Sequence, residues 1–204
     1  MMQTENIVGN VYNKYRTRNP ISRFLINRFT SRIQELLEIQ APKQVLEVGC
    51  GEGYLIADVF SKCKSIESIS ACDLESRQLL PEVHSLCQFY QCSVYDMPFA
   101  DASFDLVCCL EVLEHLENPA TALAEICRVA KDQVLISVPR EPLWRILNVC
   151  RGKYWHQFGN TPGHIQHFSK KSLLQLLGKY FGETAAYGPM PWTIVQCSKT
   201  LRKC

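Results

Sequence analysis

From Val45 onward, segments of strand length alternate with segments of helical character, and nothing else in the chain restricts its fold so strongly. Val45-Leu46-Glu47-Val48 reads as a short strand, with Tyr54 to Lys62 as the helix after it. Ile66 to Cys72 predicts a second strand, Glu75 to His84 a helix, and Cys87 to Cys92 a third strand. Phe104 to Leu110 is apolar nearly throughout, as a strand buried on both faces must be. Asn118-Pro119 opens the next helix, with Asn as the cap and Pro at the first helical position. That helix runs to about Ala130, ahead of a fifth strand from Val134 to Val138. Such alternation requires a parallel sheet with right-handed crossovers. Ser169 caps a last helix through Tyr180, and Thr184 to Tyr187 and Thr193 to Cys197, joined at Gly188-Pro189, predict an antiparallel closing pair.

Two stretches stand outside the alternation. Ile21, Phe24, Leu25, Phe29, Ile33, Leu36 and Leu37 recur at helical spacing, with Arg28 and Arg32 on the other side, so Ile21 to Ile39 predicts an amphipathic helix with a basic face, ended by Pro42. Residues 140–168 show no clear period but hold two tryptophans, three histidines and three glycines. A stretch of that length inside a domain is a candidate lid or binding insertion. The expected organisation is an N-terminal helical cap over 1–42 and a main domain over 43–204, with a substrate lid at about 140–168.

Composition removes several classes. Apolar residues at 47% and charged residues at 21% describe a folded domain, not a disordered tail, a collagen-like fibre or a coiled coil. No apolar run approaches the roughly 20 residues of a membrane helix, and Met1 to Pro20 lacks the apolar core of a secretion signal, so a cytoplasmic location is expected. Eleven cysteines suggest a disulfide scaffold or a zinc site, but no C-x-x-C pair occurs and the count is odd. Cysteines such as Cys72, Cys108, Cys109 and Cys127 sit in apolar segments and read as small buried hydrophobes of a reducing compartment. Charge is divided: residues 1–34 carry +5, residues 35–133 carry −11 and residues 134–204 carry +8. Two basic ends around an acidic middle suit an anionic partner or surface.

Glu47-Val48-Gly49-Cys50-Gly51-Glu52-Gly53 follows the first strand and opens a helix, at the sheet end where such folds bind ligands. Tyr54 stands where a dinucleotide fingerprint needs its last glycine, and no Gly-Lys-Ser/Thr run marks a P-loop. Glu47 would repel a pyrophosphate but welcome an ammonium or sulfonium. Asp73, ending the second strand, suits the two hydroxyls of a ribose. Asp96, ahead of Met97-Pro98, suits an amino group, with Met97 against a flat ring. The ligand so described is a nucleoside with a cationic amino-acid tail.

These residues resemble the class I S-adenosylmethionine-dependent methyltransferases. Val45 to Gly53 is similar to their first motif, Asp73 to their ribose acid, and Ser93-Val94-Tyr95-Asp96-Met97-Pro98-Phe99 to their adenine-binding segment. Phe104 to Val107 with Glu111-Val112-Leu113-Glu114-His115-Leu116 resembles the fourth strand and its turn. The resemblance covers about residues 43–200. It implies a Rossmann-like open α/β sheet of seven strands, mostly parallel with the last strand antiparallel, and helices on both faces. It also implies a cofactor set of Glu47, Gly49, Gly51, Asp73, Leu74, Asp96, Met97, Leu110 and Tyr15, with S-adenosylmethionine as methyl donor and S-adenosylhomocysteine as product. Glu-x-x-Glu-His resembles the ubiquinone-biosynthesis type of O-methyltransferases. With His164, as in some relatives including small-RNA methyltransferases, Glu111, Glu114 and His115 form a candidate site for a divalent cation, expected to share one face of a helical turn. Helix capping and cofactor packing are the competing reading.

Methyl transfer to a hydroxyl needs alignment together with a base or metal. His115 and His164 are the candidate catalytic residues, and His156 and His167 lie nearby in sequence. Tyr12 and Tyr15 are placed to close over the cofactor. Trp144, Trp155, Phe158 and Phe168 with Arg140, Arg145, Arg151 and Lys153 suit a small or lipid-like acceptor that is anionic or aromatic. RNA fits the same residues, but ranks lower because the cations are too few for a phosphate track and the pI is only about 8.0. A cofactor-binding protein without catalysis is the alternative from another class. Peripheral contact with an anionic membrane is expected through Phe24, Phe29, Arg28 and Arg32.

Overall fold

In the computed structural model, residues 15, 17–75 and 79–199 are described. Seven strands, β1 (Gln44–Val48), β2 (Ser68–Asp73), β3 (Gln88–Gln91), β4 (Phe104–Leu110), β5 (Ala130–Pro139), β6 (Glu183–Tyr187) and β7 (Trp192–Ser198), form one sheet. Its order is β3-β2-β1-β4-β5-β7-β6. The pairs from β3 to β5 are parallel, and β7 runs antiparallel to both β5 and β6. The order in which strands are added reverses between β1 and β4, which leaves a crevice at the carboxyl ends of those strands.

The period of two along the central strands sorts their side chains between two cores. Val45, Leu106, Cys108, Leu110, Leu135 and Ile194 enter one, and Leu46, Val107, Cys109, Val134, Ile136 and Val195 enter the other. The first core is covered by helices α1 (Pro20–Gln40) and α2 (Tyr54–Asp58). The second is covered by α3 (Pro119–Val129) and, once α4 (Leu143–Cys150) has passed, by α5 (Lys170–Leu177). Cys72, Cys108 and Cys109 are free and wholly buried, so they act as small apolar residues, whereas Cys127, equally buried, is disulfide-bonded and corrects the expectation of a free thiol there.

Local chemistry explains the helix ends. The Asn19 side chain accepts from the amides of Ile21 and Ser22, and the Asn118 side chain accepts from Thr121. Ser169 and Ser172 exchange hydrogen bonds as a capping box. Helix α1 buries Ile26, Phe29, Ile33, Leu36 and Leu37, each worth about 1.5–3 kcal/mol on removal from water.

Four local expectations need correction. Helix α1 is closed by Ala41 in the left-handed region at φ 45°, one residue before Pro42. The helix after the glycine loop breaks at Val59, and a single 3-10 turn over Phe60–Lys62 completes it. Residues 76–78 of the helix expected over Glu75 to His84 lie outside the described residues, and its latter part is a 3-10 segment over Pro81–Ser85. Pro81 holds Leu80 in an extended conformation at ψ 140°, so no helix can run through it. Residues 140–168 contain α4 and a 3-10 turn over Trp155–Gln157, although the sequence shows no continuous period there.

Candidate active site

Ligand contacts in such sheets come from strand ends, and the glycine loop after β1 is the first of them. Gly49, Gly51 and Gly53 all have positive φ, which lets the backbone turn tightly over the end of β2. The amides of Gly49 and Cys50 donate to the carbonyl of Cys72 at 2.8 and 3.2 Å. Gly49 has no room for more: a Cβ there would lie 2.5 Å from Val112 Cγ2. Asp73 locks the arrangement, accepting from the Gly51 amide at 2.8 Å and from the Leu74 amide at 2.7 Å.

Glu47 lies beneath this loop, on the side of the sheet that α1 covers. It is buried, and its Oε2 has no hydrogen-bond partner. Burial, with the nearby Asp73 charge, pushes its pKa up to about 8. An isolated buried carboxylate is costly unless a cation arrives to share the site. Tyr15 stacks on Tyr54, the first residue of α2, with ring centroids 5.1 Å apart. It therefore stands at the far end of the glycine loop. Tyr12 lies outside the described residues.

Met97 is buried, with its sulfur 4.0 Å from Cys72 Sγ, while Asp96 is exposed and paired with Ser93 across a tight turn. Leu74 remains half in solvent next to Asp73, and Leu110 is buried where β4 ends. A brace on α3, which the sequence reading missed, fixes this segment. Glu125 Oε1 accepts from the Met97 amide at 2.8 Å, and Arg128 donates to the carbonyls of Met97 and Phe99 at 3.1 and 2.7 Å. The Arg128 guanidinium in turn holds the Glu125 carboxyl below its usual range. The spacing of Glu125 and Arg128, three residues apart on one helix face, was the available signal.

The turn after β4 separates the four candidate metal ligands. Glu111, in the left-handed region at φ 63°, points away: its carboxylate accepts from Ser137 Oγ at 2.9 Å and from Trp192 Nε1 at 2.7 Å. The expected common face fails because residues 113–115 form a 3-10 turn and Glu111 precedes it with a reversed backbone. Glu114, His115 and His164 do come together, each offering a ligand atom within 4.8 Å of the others. The two imidazoles meet edge to face at 4.9 Å, and Trp144 stacks over His164 at 6.4 Å. Gly163 O lies 2.9 Å from His115 Nδ1, and since a carbonyl only accepts, Nδ1 carries the proton. That leaves the lone pair on Nε2, fit to take a proton or bind a cation.

A cavity of about 430 Å³ opens beside this cluster, lined by Arg145, Gln157, Asn160, Pro162, Gly163 and His167. His167 Nε2 meets Asn160 Oδ1 at 2.9 Å, whereas His156 is exposed on the 3-10 turn of the insertion.

Comparison with known proteins agrees with this geometry. Residues 46–138 match the family described as "Methyltransferase domain". A protein from Mycobacterium tuberculosis, called a probable S-adenosylmethionine-dependent methyltransferase, is 31% identical over 121 residues, 58% of this chain and 43% of its own length. The ubiquinone biosynthesis O-methyltransferase of Hahella chejuensis is 31% identical over 122 residues, 55% of this chain and 50% of its own. The chain thus spans half or less of these relatives. Among solved structures, magnesium protoporphyrin IX methyltransferase from Synechocystis with bound SAH superposes with a TM-score of 0.67 at 16% identity, covering 92% of this chain and 91% of that one.

Proposed function

We propose that this chain is a class I S-adenosylmethionine-dependent methyltransferase that methylates an oxygen of a small or lipid-like acceptor that is anionic or aromatic. The buried carboxyl of Glu47 beneath the glycine loop, whose Oε2 has no hydrogen-bond partner, carries the first half of the reading. It is the complement of a cation, and Asp73 beside the same loop is the complement of a ribose. Among the described residues, Gly51, Asp73 and Leu74 would hold the sugar, and Asp96 and Met97 the base.

Bound there, S-adenosylmethionine supplies a methyl group on a sulfonium, whose sulfur departs as a neutral thioether. The chain's own part is alignment and proton management. His115, with its proton held on Nδ1 by Gly163, presents Nε2 to accept the hydroxyl proton of the acceptor. His164, fixed under Trp144, orients the same group. A divalent cation on Glu114, His115 and His164 would serve the same end by lowering the acceptor's pKa. The cavity, with Arg145 and His167 on its wall, suits an anionic acceptor of modest size.

Calorimetric titration with S-adenosylhomocysteine, with NADH and ATP as controls, tests the first half: binding of the first alone is expected. Asp73→Ala should weaken it by about 1–3 kcal/mol, since ligand hydroxyls lose their acceptor. Transfer of a labelled methyl group to phenols, carboxylates and RNA tests the second. Label on RNA alone would replace the small acceptor by a polynucleotide.

A further inference from the structure

Helix α4 is built with its apolar side outward. Leu143, Ile146, Leu147 and Cys150 have the spacing of a core-facing stripe, yet none of them is buried, and Ile146 is 54% exposed. The buried residue of this helix is Asn148, whose amide donates to Gly159 O at 2.9 Å and to Thr161 Oγ1 at 3.2 Å. Among its apolar side chains, Trp144 alone packs on a core cluster. The polar face of α4 therefore anchors the helix, and its apolar face is left to solvent.

The following loop extends that face. The amides of Gly152 and Lys153 bond back to Val149 and Asn148, both at 2.9 Å, and Arg145 Nε donates to Phe158 O at 3.0 Å. Gly159, at φ 77°, lies so close to the Arg145 carbonyl that no Cβ fits. On this loop Trp155 is 64% and Phe158 79% exposed. Tyr154 and Phe158 both hold positive φ, a conformation costing a non-glycine residue roughly 1–2 kcal/mol. Its result is a pair of large rings presented to solvent.

Charge selects the occupant. Residues 142–182 contain six lysines and arginines and no Asp or Glu, and Arg145, Arg151 and Lys153 belong to the same helix and loop. An apolar stripe with aromatic rings and an excess of cations over acids is the complement of a bilayer surface bearing anionic headgroups. On helix α1, Phe29 is buried and Arg32 pairs with Glu35 at 2.8 Å, while Phe24 is 59% exposed with the Arg28 guanidinium over its ring at 5.8 Å. We infer that α4 and the 152–159 loop dock this protein on the surface of a membrane containing anionic lipid. Arg145 and Gln157 also line the cavity, so docking brings that cavity beside the lipid. The inference stands on this surface alone and is independent of the methyl acceptor.

Flotation of the full chain with phosphatidylcholine vesicles, with and without about 30% phosphatidylglycerol, tests it. Binding is expected to the anionic vesicles only, with a blue shift of tryptophan emission. The triple variant Ile146→Ser, Trp155→Ser, Phe158→Ser should lose at least tenfold in bound fraction, and Lys153→Glu, a single surface change, at least threefold. Phe24→Ser on α1 should float as the parent does. Absence of the parent from the floated fraction, equal binding to neutral vesicles, or full binding by the triple variant would each overturn the inference. So would a parent dimer that the triple variant dissolves without any lipid binding, since a second copy would then cover the face.

Discussion

The glycine-loop end of the sheet and the segment over 140–168 handle polarity in opposite ways. Around β1 and β2 a carboxyl oxygen is buried without a partner and the backbone is exposed to a ligand. Around α4 an amide is buried with all its partners while apolar side chains face solvent. The first region holds a carboxyl group with an unsatisfied oxygen in its interior, and the second carries four lysines and arginines against the one acid Glu141. The contrast teaches that binding capacity lies where the ordinary sorting of polar and apolar groups is reversed, in either direction.

Two alanine substitutions should break the regions apart, with the largest effects. Gly49→Ala drives a Cβ to 2.5 Å from Val112 and strains φ 70°, so S-adenosylhomocysteine affinity should fall more than tenfold, as read by calorimetry. Gly159→Ala collides with the Arg145 backbone and should abolish vesicle binding through displacement of Phe158, with cofactor affinity changed less than threefold. Equal loss of both functions in either variant would mean one cooperative site.

Acidity sharpens the same contrast at smaller cost. Folded Glu47, with a pKa of about 8 against 4.5 for an ordinary glutamate, keeps a proton that the unfolded chain has released. Ligand-free stability should therefore fall as pH rises from 4.5 to 8. A cationic ligand favours the ionised form, so its binding should expel that proton and tighten up to tenfold per pH unit toward pH 8. Calorimetry in buffers of different ionisation enthalpy reads the released proton, and Glu47→Gln should remove both trends.

The sheet was legible because each strand carries its own hydrophobic period and each helix its own cap, as at Asn118 and Ser169. The positions of Glu47 and Asp73 were legible because the ends of β1 and β2 place them, whatever the rest of the fold does. Helix α4 was not, because its stripe faces outward and a search for core-facing periodicity has nothing to reward. The mistake over Glu111 has the same kind of origin. Spacing put it on one face with Glu114 and His115, but spacing does not foresee a left-handed residue between strand and turn. Its partners Ser137 and Trp192 lie on β5 and β7, far away in sequence.

Glu111 supplies the smallest and most discriminating test, because it contributes to stability in two opposing ways. Its carboxylate satisfies two part-buried donors, so Glu111→Ala should cost about 1–3 kcal/mol in urea denaturation. Its φ of 63° works against the fold, at roughly 1 kcal/mol for any residue with a Cβ. Glu111→Gly loses the same hydrogen bonds but relieves that strain, and should be less destabilising than Glu111→Ala by about that amount, less the extra entropy of a glycine in the unfolded chain. Neither change should alter the affinity of Mn²⁺ for the protein, whereas Glu114→Gln should lower it wherever that cation binds at Glu114, His115 and His164. A loss of Mn²⁺ affinity in Glu111→Ala would return Glu111 to the cluster and make its bonds to Ser137 and Trp192 a state that the ion displaces.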